Sequence, residues 1–394
     1  MKPDDFLPRP DRLPLLATHP HATPIYLTSV WECESPAQAD AMLGGQEPGF
    51  VYQRDGHPNA VALAHKLNEL EQAPHGAVVA SGMAAISAAL LATTGQGDHV
   101  VTASRVYGKT LQLLQGEASR LGITLSVVDT NDLAAVSAAM TARTKLVLAE
   151  TIANPLLQVA DLAALAEIAH RGGARLLVDN TFASPLVCRP MELGADFVME
   201  SLTKTLNGHS DVLLGYLGGR TDIWSRVKQV ISAWGFSASP FDCWLAARGL
   251  ATAHLRIERA SHNAQRVAEF LTQRREVERV DYPGLASHEH HGLAKKQFAC
   301  HGNDCLFGTM VAFQLKGGRA AADKFIAAAR DIPFCPSLGE LSTTLSHPET
   351  TSHRGLTAEA RAALGISGGT IRLSVGTETS GHICSALTTA LLQV

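Results

Sequence analysis

The chain has 394 residues, of which 46% are hydrophobic and 18% charged, with a formal net charge of −4. That length exceeds one average domain, and the apolar content is enough for a large core. The near-balanced charge argues against a nucleic-acid or membrane partner, and no apolar run is long enough to span a bilayer.

Residues 1–14 are polar and carry Pro3, Pro8, Pro10 and Pro14, with no basic segment ahead of an apolar run, so no signal peptide is expected. The seven cysteines (Cys33, Cys188, Cys243, Cys300, Cys305, Cys335 and Cys384) are scattered and odd in number. Reduced thiols in a cytoplasmic protein are the expectation. Cys300, His301 and Cys305 have no second ligand pair at finger-like spacing, so no metal is expected. His288, His290 and His291 follow Tyr282-Pro283-Gly284 and read as a solvated loop.

In chain order, residues 1–60 read as an extended, proline-rich arm, the kind of segment that wraps a partner subunit or its own domain. Within it, Tyr52 and Arg54 lie two apart and would share one side of an extended chain, either as a phosphate-binding pair or as a plain surface pair. A helix follows from Ala60 to about Gln72, then a short buried strand at 76–80. Ser81-Gly82-Met83 ends that strand and opens an Ala/Leu-rich helix, so its backbone N–H groups are free either for an anion or simply to make a tight turn.

Alternating units come next. Strands are expected at 99–103, 123–128, 145–150 and 175–179, with helices at 107–121, 133–140 and 162–170 between them. This order implies a parallel sheet covered by helices, with ligands gathering beyond the carboxyl ends of the strands. Ser81, Glu150, Asp179 and Ser201 fall at those ends. Asp179 closes an apolar run, where a lone carboxylate is costly, so it serves as a turn or cap residue or pairs with a cation.

Residues 197–211 begin as a buried strand and turn polar at Ser201. Lys204 sits there among hydroxyls, with Thr203 beside it, either as a solvated loop lysine or as an amine that forms a Schiff base with an aldehyde cofactor. Lys204 and Asp179 together fit pyridoxal phosphate, which uses a lysine and an acidic partner for its ring nitrogen.

From about Leu255 the pattern changes, with helices expected at 260–271, 320–329 and 380–392 and strands at 276–280, 310–315 and 370–375. Arg372 lies inside the last of these strands and needs a carboxylate, from a ligand or from the protein.

The ordered set of motifs resembles the trans-sulfuration (cysteine/methionine metabolism) family of pyridoxal-phosphate enzymes. It includes Ser81-Gly82-Met83, Tyr107-Gly108, Asn154-Pro155, Asp179-Asn180-Thr181, Ser201-Leu202-Thr203-Lys204, Asn207-Gly208-His209-Ser210-Asp211, Ser337-Leu338-Gly339 and Arg372-Leu373-Ser374. The family contains cystathionine γ-synthases, cystathionine lyases, methionine γ-lyases and homoserine sulfhydrylases.

The resemblance implies an α/β chain of fold type I, aspartate-aminotransferase-like, with a large, mainly parallel sheet domain and a smaller C-terminal α/β domain. It implies an arm over residues 1–60 contacting a neighbouring subunit, a cofactor domain over 61–255 and a C-terminal domain over 256–394. Lys204 would carry the cofactor and shuttle protons, Asp179 would hold the ring nitrogen, and Tyr107 would stack on the ring. Gly82, Met83, Ser201 and Thr203 would hold the phosphate, and Tyr52 and Arg54 the phosphate of the neighbouring subunit. Asn154 and Thr181 would complete the cofactor site, and Ser337 and Arg372 would bind the substrate carboxylate. The implied assembly is a homodimer or homotetramer acting on a small amino acid, and the implied chemistry is γ-elimination or γ-replacement at a C–S bond.

Some positions depart from family habits. Val51 and Ser342 stand where cystathionine-using members often carry acids, although Glu340 is near, and Lys109 stands where methionine γ-lyases carry a cysteine. Thr205 replaces a frequent aromatic residue, and Leu345 to His353 resembles the sulfhydrylases. Lys109 is a candidate partner for a second substrate carboxylate.

Overall fold

The structure, a computed structural model, describes residues 18–301 and 304–394. Pro3, Pro8, Pro10 and Pro14 of the expected arm, and the side chain of His301, lie outside what it describes. A seven-stranded sheet runs in the order β1-β7-β6-β5-β4-β2-β3. Its strands are β1 (His75–Val79), β2 (His99–Ala103), β3 (Thr124–Val128), β4 (Thr144–Glu150), β5 (Arg175–Asp179), β6 (Phe197–Ser201) and β7 (Gly215–Gly219). Neighbours from β3 to β6 pair parallel, while β7 runs antiparallel between β1 and β6.

The central strands read as continuous apolar runs because helices cover both faces. Leu176, Leu177 and Val178 of β5 are all fully buried. The mainly parallel sheet is therefore as expected. β7 is the strand whose sequence hides it: three of its five residues are glycine. Gly215 has a steric reason, since a Cβ there would sit 2.2 Å from the Ser81 carbonyl oxygen and 2.7 Å from the Gly82 nitrogen. The antiparallel strand thus passes directly against the turn that opens helix Gly82–Thr93.

A second sheet has the order β12-β13-β11-β8 and is antiparallel throughout. Its strands are β8 (Val277–Asp281), β11 (Met310–Leu315), β12 (Thr344–Ser346) and β13 (Thr370–Ser374); a small hairpin of β9 (Cys300–His301) and β10 (Asp304–Cys305) lies outside it. Helices Ala253–Thr272, Gly318–Ala328 and Ser380–Leu391 pack against the sheet and one another.

Three expectations need correction. Cys300 and Cys305 are joined in a disulfide across the hairpin, so the cysteines are not all free thiols. The arm is not wholly extended: Pro36–Leu43 is helical, capped by the Ser35 side chain on the Gln38 amide. The histidine loop is half buried, with His288 and His290 lining a cavity of about 640 Å³ and burial pushing His288 down to about 4.

The two sheets are tied together behind the turn that carries Lys204. Arg256, on helix Ala253–Thr272, donates to the carbonyls of Thr205, Leu206 and Gly249, each at 2.8 Å. Gly208 leaves room for the guanidinium: its φ is +77°, and a Cβ there would lie 2.0 Å from Arg256 Nη1. Replacing Arg256 by methionine keeps the bulk and strands three carbonyls. We expect a loss of about 3–5 kcal/mol, read as a lower urea midpoint; an unchanged midpoint would show that the guanidinium is dispensable.

Candidate active site

The site is built from the carboxyl ends of adjacent strands, and each end presents a polar group because its strand stops there. Ser81, after β1, caps the helix by accepting the Ala84 N–H at 3.1 Å. The amides of Gly82 and Met83, in the helix's first turn, have no intrahelical acceptor. Ser201, at the end of β6, lies beside them: a Cβ on Gly82 would be 3.1 Å from Ser201 Cβ and 3.4 Å from its hydroxyl. The Ser201 amide donates to Thr181 Oγ1 at 3.0 Å. Thr203 accepts the Leu214 N–H at 3.2 Å and fixes the chain entering β7. Amides and hydroxyls at a helix N-terminus make a concave receptor for a phosphate.

Asp179 ends β5 beside Glu150 of β4, the two residues being register partners. Asp179 accepts the Thr181 N–H at 3.0 Å. Burial holds its carboxyl above the ordinary range, the Thr181 hydrogen bonds pull it down, and no cationic side chain among the described residues opposes it. Glu150 accepts the Tyr107 amide at 2.5 Å and the Asn154 amide at 3.3 Å. Burial first, and the Asp179 charge second, push Glu150 well up. The adjacent acids therefore divide their tasks. Glu150 holds the backbone at Tyr107 and Asn154, and Asp179 is left to meet a cation.

The second sheet supplies the other wall. Lys204 Nζ donates to Ser337 Oγ at 2.8 Å. Arg372, in β13, donates to the Ser337 carbonyl at 3.0 Å and to Asn154 Oδ1 at 2.7 Å, while its Nε has no partner. No carboxylate among the described residues pairs with Arg372, and burial lowers its pKa to about 10. Burial also lowers that of Lys204, and the Arg372 charge lowers it further. A continuous set of contacts thus runs from Lys204 through Ser337, Arg372 and Asn154 to Glu150 and the Tyr107 backbone.

The structure brings together Lys204, Ser337, Arg372, Asn154 and Tyr107, and likewise Gly82, Ser201 and Thr181. Tyr52 and Arg54 stay apart from them. Arg54 stacks over the Tyr52 ring at 4.8 Å, both residues are exposed, and Arg54 sits in a 3₁₀ turn (Gln53–Asp55) instead of an extended chain. Glu150, marked by its position at a strand end but given no role by the resemblance, holds the Tyr107 and Asn154 amides. Lys109 is exposed, with Nζ on Gln112 Oε1 at 3.0 Å, near the start of the helix that follows Tyr107.

Residues 12–392 match the family of Cys/Met metabolism PLP-dependent enzymes. The chain belongs to that family. It is a pyridoxal-phosphate-dependent enzyme of carbon–sulfur chemistry on amino acids. It is 42% identical over 369 residues to the L-methionine γ-lyase of Porphyromonas gingivalis, covering 93% of this chain and 91% of that one. To the O-succinylhomoserine sulfhydrylase of Pseudomonas aeruginosa it is 39% identical over 358 residues, covering 91% and 87%. Cystathionine γ-synthase from Xanthomonas oryzae pv. oryzae, solved with aminoacrylate and cysteine, superposes with a TM-score of 0.86 at 35% identity over 95% of this chain and 94% of that one.

The residues fit the cofactor. The free amides at Gly82 and Met83 beside Ser201 suit its phosphate, the unopposed Asp179 its ring nitrogen, and the desolvated Lys204 amine its aldehyde. Removing the Arg372 charge should raise the Lys204 pKa, because a neighbouring cation disfavours the ammonium. In cofactor-free protein, the rate of pyridoxal phosphate uptake against pH should shift to higher pH in Arg372→Gln. An unshifted profile would mean that Arg372 does not act on the amine.

Proposed function

We propose that the chain performs γ-elimination or γ-replacement on a sulfur amino acid or homoserine ester, with preference for a substrate bearing a second carboxylate. The observation that carries the substrate reading is Arg372. A buried guanidinium without a protein carboxylate, with its Nε unpaired, needs an anion, and the α-carboxylate of an amino acid supplies one with bidentate geometry. Ser337 links that anion site to Lys204 through its carbonyl and hydroxyl.

The bound cofactor supplies an electron sink for carbanion chemistry. The chain supplies the rest. Asp179 holds the proton on the ring nitrogen. Lys204, its ammonium disfavoured by burial and by Arg372, takes the proton at the substrate Cα and delivers protons at Cβ and to the leaving group. Ser337 orients its Nζ. Tyr107, held at its amide by Glu150, covers the ring and assists proton transfer at the leaving group. Asn154 fixes the Arg372 fork and approaches the ring hydroxyl. Gly82, Met83, Ser201, Thr203 and Thr181 retain the cofactor.

The assembly we infer is a homodimer or homotetramer with shared sites. Tyr52 and Arg54 are exposed and contact none of their own chain's site residues, and Ile25, Tyr26, Leu27 and Val30 of the arm are exposed apolar residues. In this reading residues 1–60 form the arm, 61–255 the cofactor domain and 256–394 the C-terminal domain. We infer a cytoplasmic location from the five free cysteines, with the Cys300–Cys305 disulfide as the feature that runs against it.

Lys109 is the specificity candidate: exposed, cationic and beside Tyr107. Lys109→Ala should raise KM for O-succinylhomoserine and cystathionine about tenfold, since one exposed ion pair to a ligand is worth roughly 1 kcal/mol or slightly more, and leave O-acetylhomoserine unchanged. An equal effect on both esters would sink this assignment. The reaction itself is tested by offering L-methionine, L-cystathionine, L-cysteine and both homoserine esters, with and without a thiol. 2-Oxobutyrate or a new thioether is the expected product. Pyruvate alone would overturn the γ assignment, and so would activity retained by Lys204→Ala.

A further inference from the structure

On the far face of the sheet from Asp179 lies a pair of acids the chemistry above does not use. Asp179 and Met199 are register partners on β5 and β6, and Met199 packs on the cofactor-side helix, its Cε 3.2 Å from the position of a Cβ on Gly82. One residue further along each strand, the pleat turns Asn180 and Glu200 to the opposite face. Glu200 is 1% exposed there, and Glu71, the last residue of helix Pro58–Glu71, is fully buried. Asn180 Nδ2 donates to Glu71 Oε1 at 3.2 Å, and Asn180 Oδ1 accepts the Thr151 hydroxyl at 2.7 Å. The two carboxyl groups lie within hydrogen-bonding reach of each other, and neither Glu71 Oε2 nor Glu200 Oε1 has a hydrogen-bond partner among the described residues.

A carboxylate only accepts hydrogen bonds, so a carboxyl–carboxyl hydrogen bond requires a proton. Two buried carboxylates in contact cannot both ionise. The surroundings offer little compensation. Arg189 is the cation that acts on Glu71. Glu192 and the Cys188 thiol lie nearby, Tyr216 faces both acids with its hydroxyl on Asn68, and Asp179 acts on Glu200 through the sheet. Burial pushes Glu71 up to about 7 and Glu200 well above the ordinary range.

We propose that Glu71 and Glu200 share one proton, so that the pair presents a single negative charge behind Asp179 and acts as positioning residues for the cofactor's protonated ring. Two negative charges there would cost too much to bury and would drive Asp179 toward its neutral form. No charge would leave Asp179 as the sole counter-ion. The Glu71–Asn180–Thr151 bonds also join helix Pro58–Glu71 to the ends of β4 and β5, so the pair sets position as well as charge.

The proposal rests on Asp179 facing the ring nitrogen, and its test separates the two ideas. In the holoenzyme at neutral pH, the infrared spectrum of wild type minus Glu71→Gln/Glu200→Gln should contain the carbonyl stretch of a protonated carboxylic acid. The visible absorbance of the bound cofactor should then be titrated. Glu200→Gln keeps one negative charge on Glu71 and a Gln-to-Glu hydrogen bond, so its midpoint should match wild type. The double variant loses the charge, which disfavours the protonated cofactor, so its midpoint should fall by about half a pH unit or more.

A missing infrared component overturns the shared proton. A double variant with the wild-type midpoint, whatever its thermal stability, overturns the positioning role and leaves a structural bond. Asp179→Asn is the control: if it too leaves the midpoint unmoved, the reading of Asp179 fails instead. Glu71→Gln alone, which also keeps one charge, replaces Glu200→Gln if that variant does not fold.

Discussion

Burying the Arg372 guanidinium is the constraint from which the rest of the site follows. Desolvating a cation costs several kcal/mol unless the protein compensates it. Here the compensation is partial: one amide oxygen, one backbone carbonyl and an unpaired Nε. To supply even that, the second sheet must seat β13 against the Asn154 turn of the first, and the Ser337 segment must lie across both. Burial lowers the Lys204 pKa, and this unbalanced charge lowers it further. One incompletely compensated cation thus creates the anion site, adds to the pressure against the ammonium and fastens the two sheets together.

The acid side is organised by the opposite logic. Four carboxyl groups (Glu71, Glu150, Asp179 and Glu200) cluster at or just under the strand ends, all raised by burial. Glu150 is tied to the Tyr107 and Asn154 amides. Asp179 lies beside it on the same face, with no opposing cation among the described residues and with backbone and hydroxyl donors that favour its ionised form. The second sheet brings the buried cation and the first sheet the acids, and a molecule carrying a phosphate, an aldehyde and a basic ring nitrogen has a chemical partner for each of its groups among them.

Much of this was legible in the sequence, for a physical reason. A parallel strand buried on both faces is a run of apolar residues, so the residue that ends it stands out. Ser81, Glu150, Asp179 and Ser201 were visible in this way, and each lies at or just beyond the carboxyl end of its strand. β7 was not legible, because its glycines answer to a steric contact with the Ser81–Gly82 turn instead of to strand propensity. Nor were helices Thr221–Trp234 and Pro240–Leu250 expected as elements. The hairpin disulfide was missed because a single spacing of five residues does not distinguish a bond from two free thiols.

Residues on exposed loops form the remaining class, and they divide the site by function. Ser337, Lys109, Tyr52 and Arg54 lie on surfaces where any polar residue is at home, so family resemblance alone singled out Ser337 and Lys109, and the spacing of Tyr52 and Arg54 left a plain surface pair open. Their exposure is also what lets them vary without endangering the fold. The buried groups determine that a cofactor is held and an amine is free, and altering them costs stability as well as activity. Of the exposed groups, Lys109 is the one proposed above to meet a distal part of the substrate. Because Lys109 is anchored only to Gln112 on its own helix, it can turn toward a second carboxylate without disturbing the Glu150 bond that fixes Tyr107. The cofactor-holding groups and the substrate-choosing groups of this reading thereby stand in different physical environments, so family membership identifies the cofactor while the choice of substrate turns on the rim.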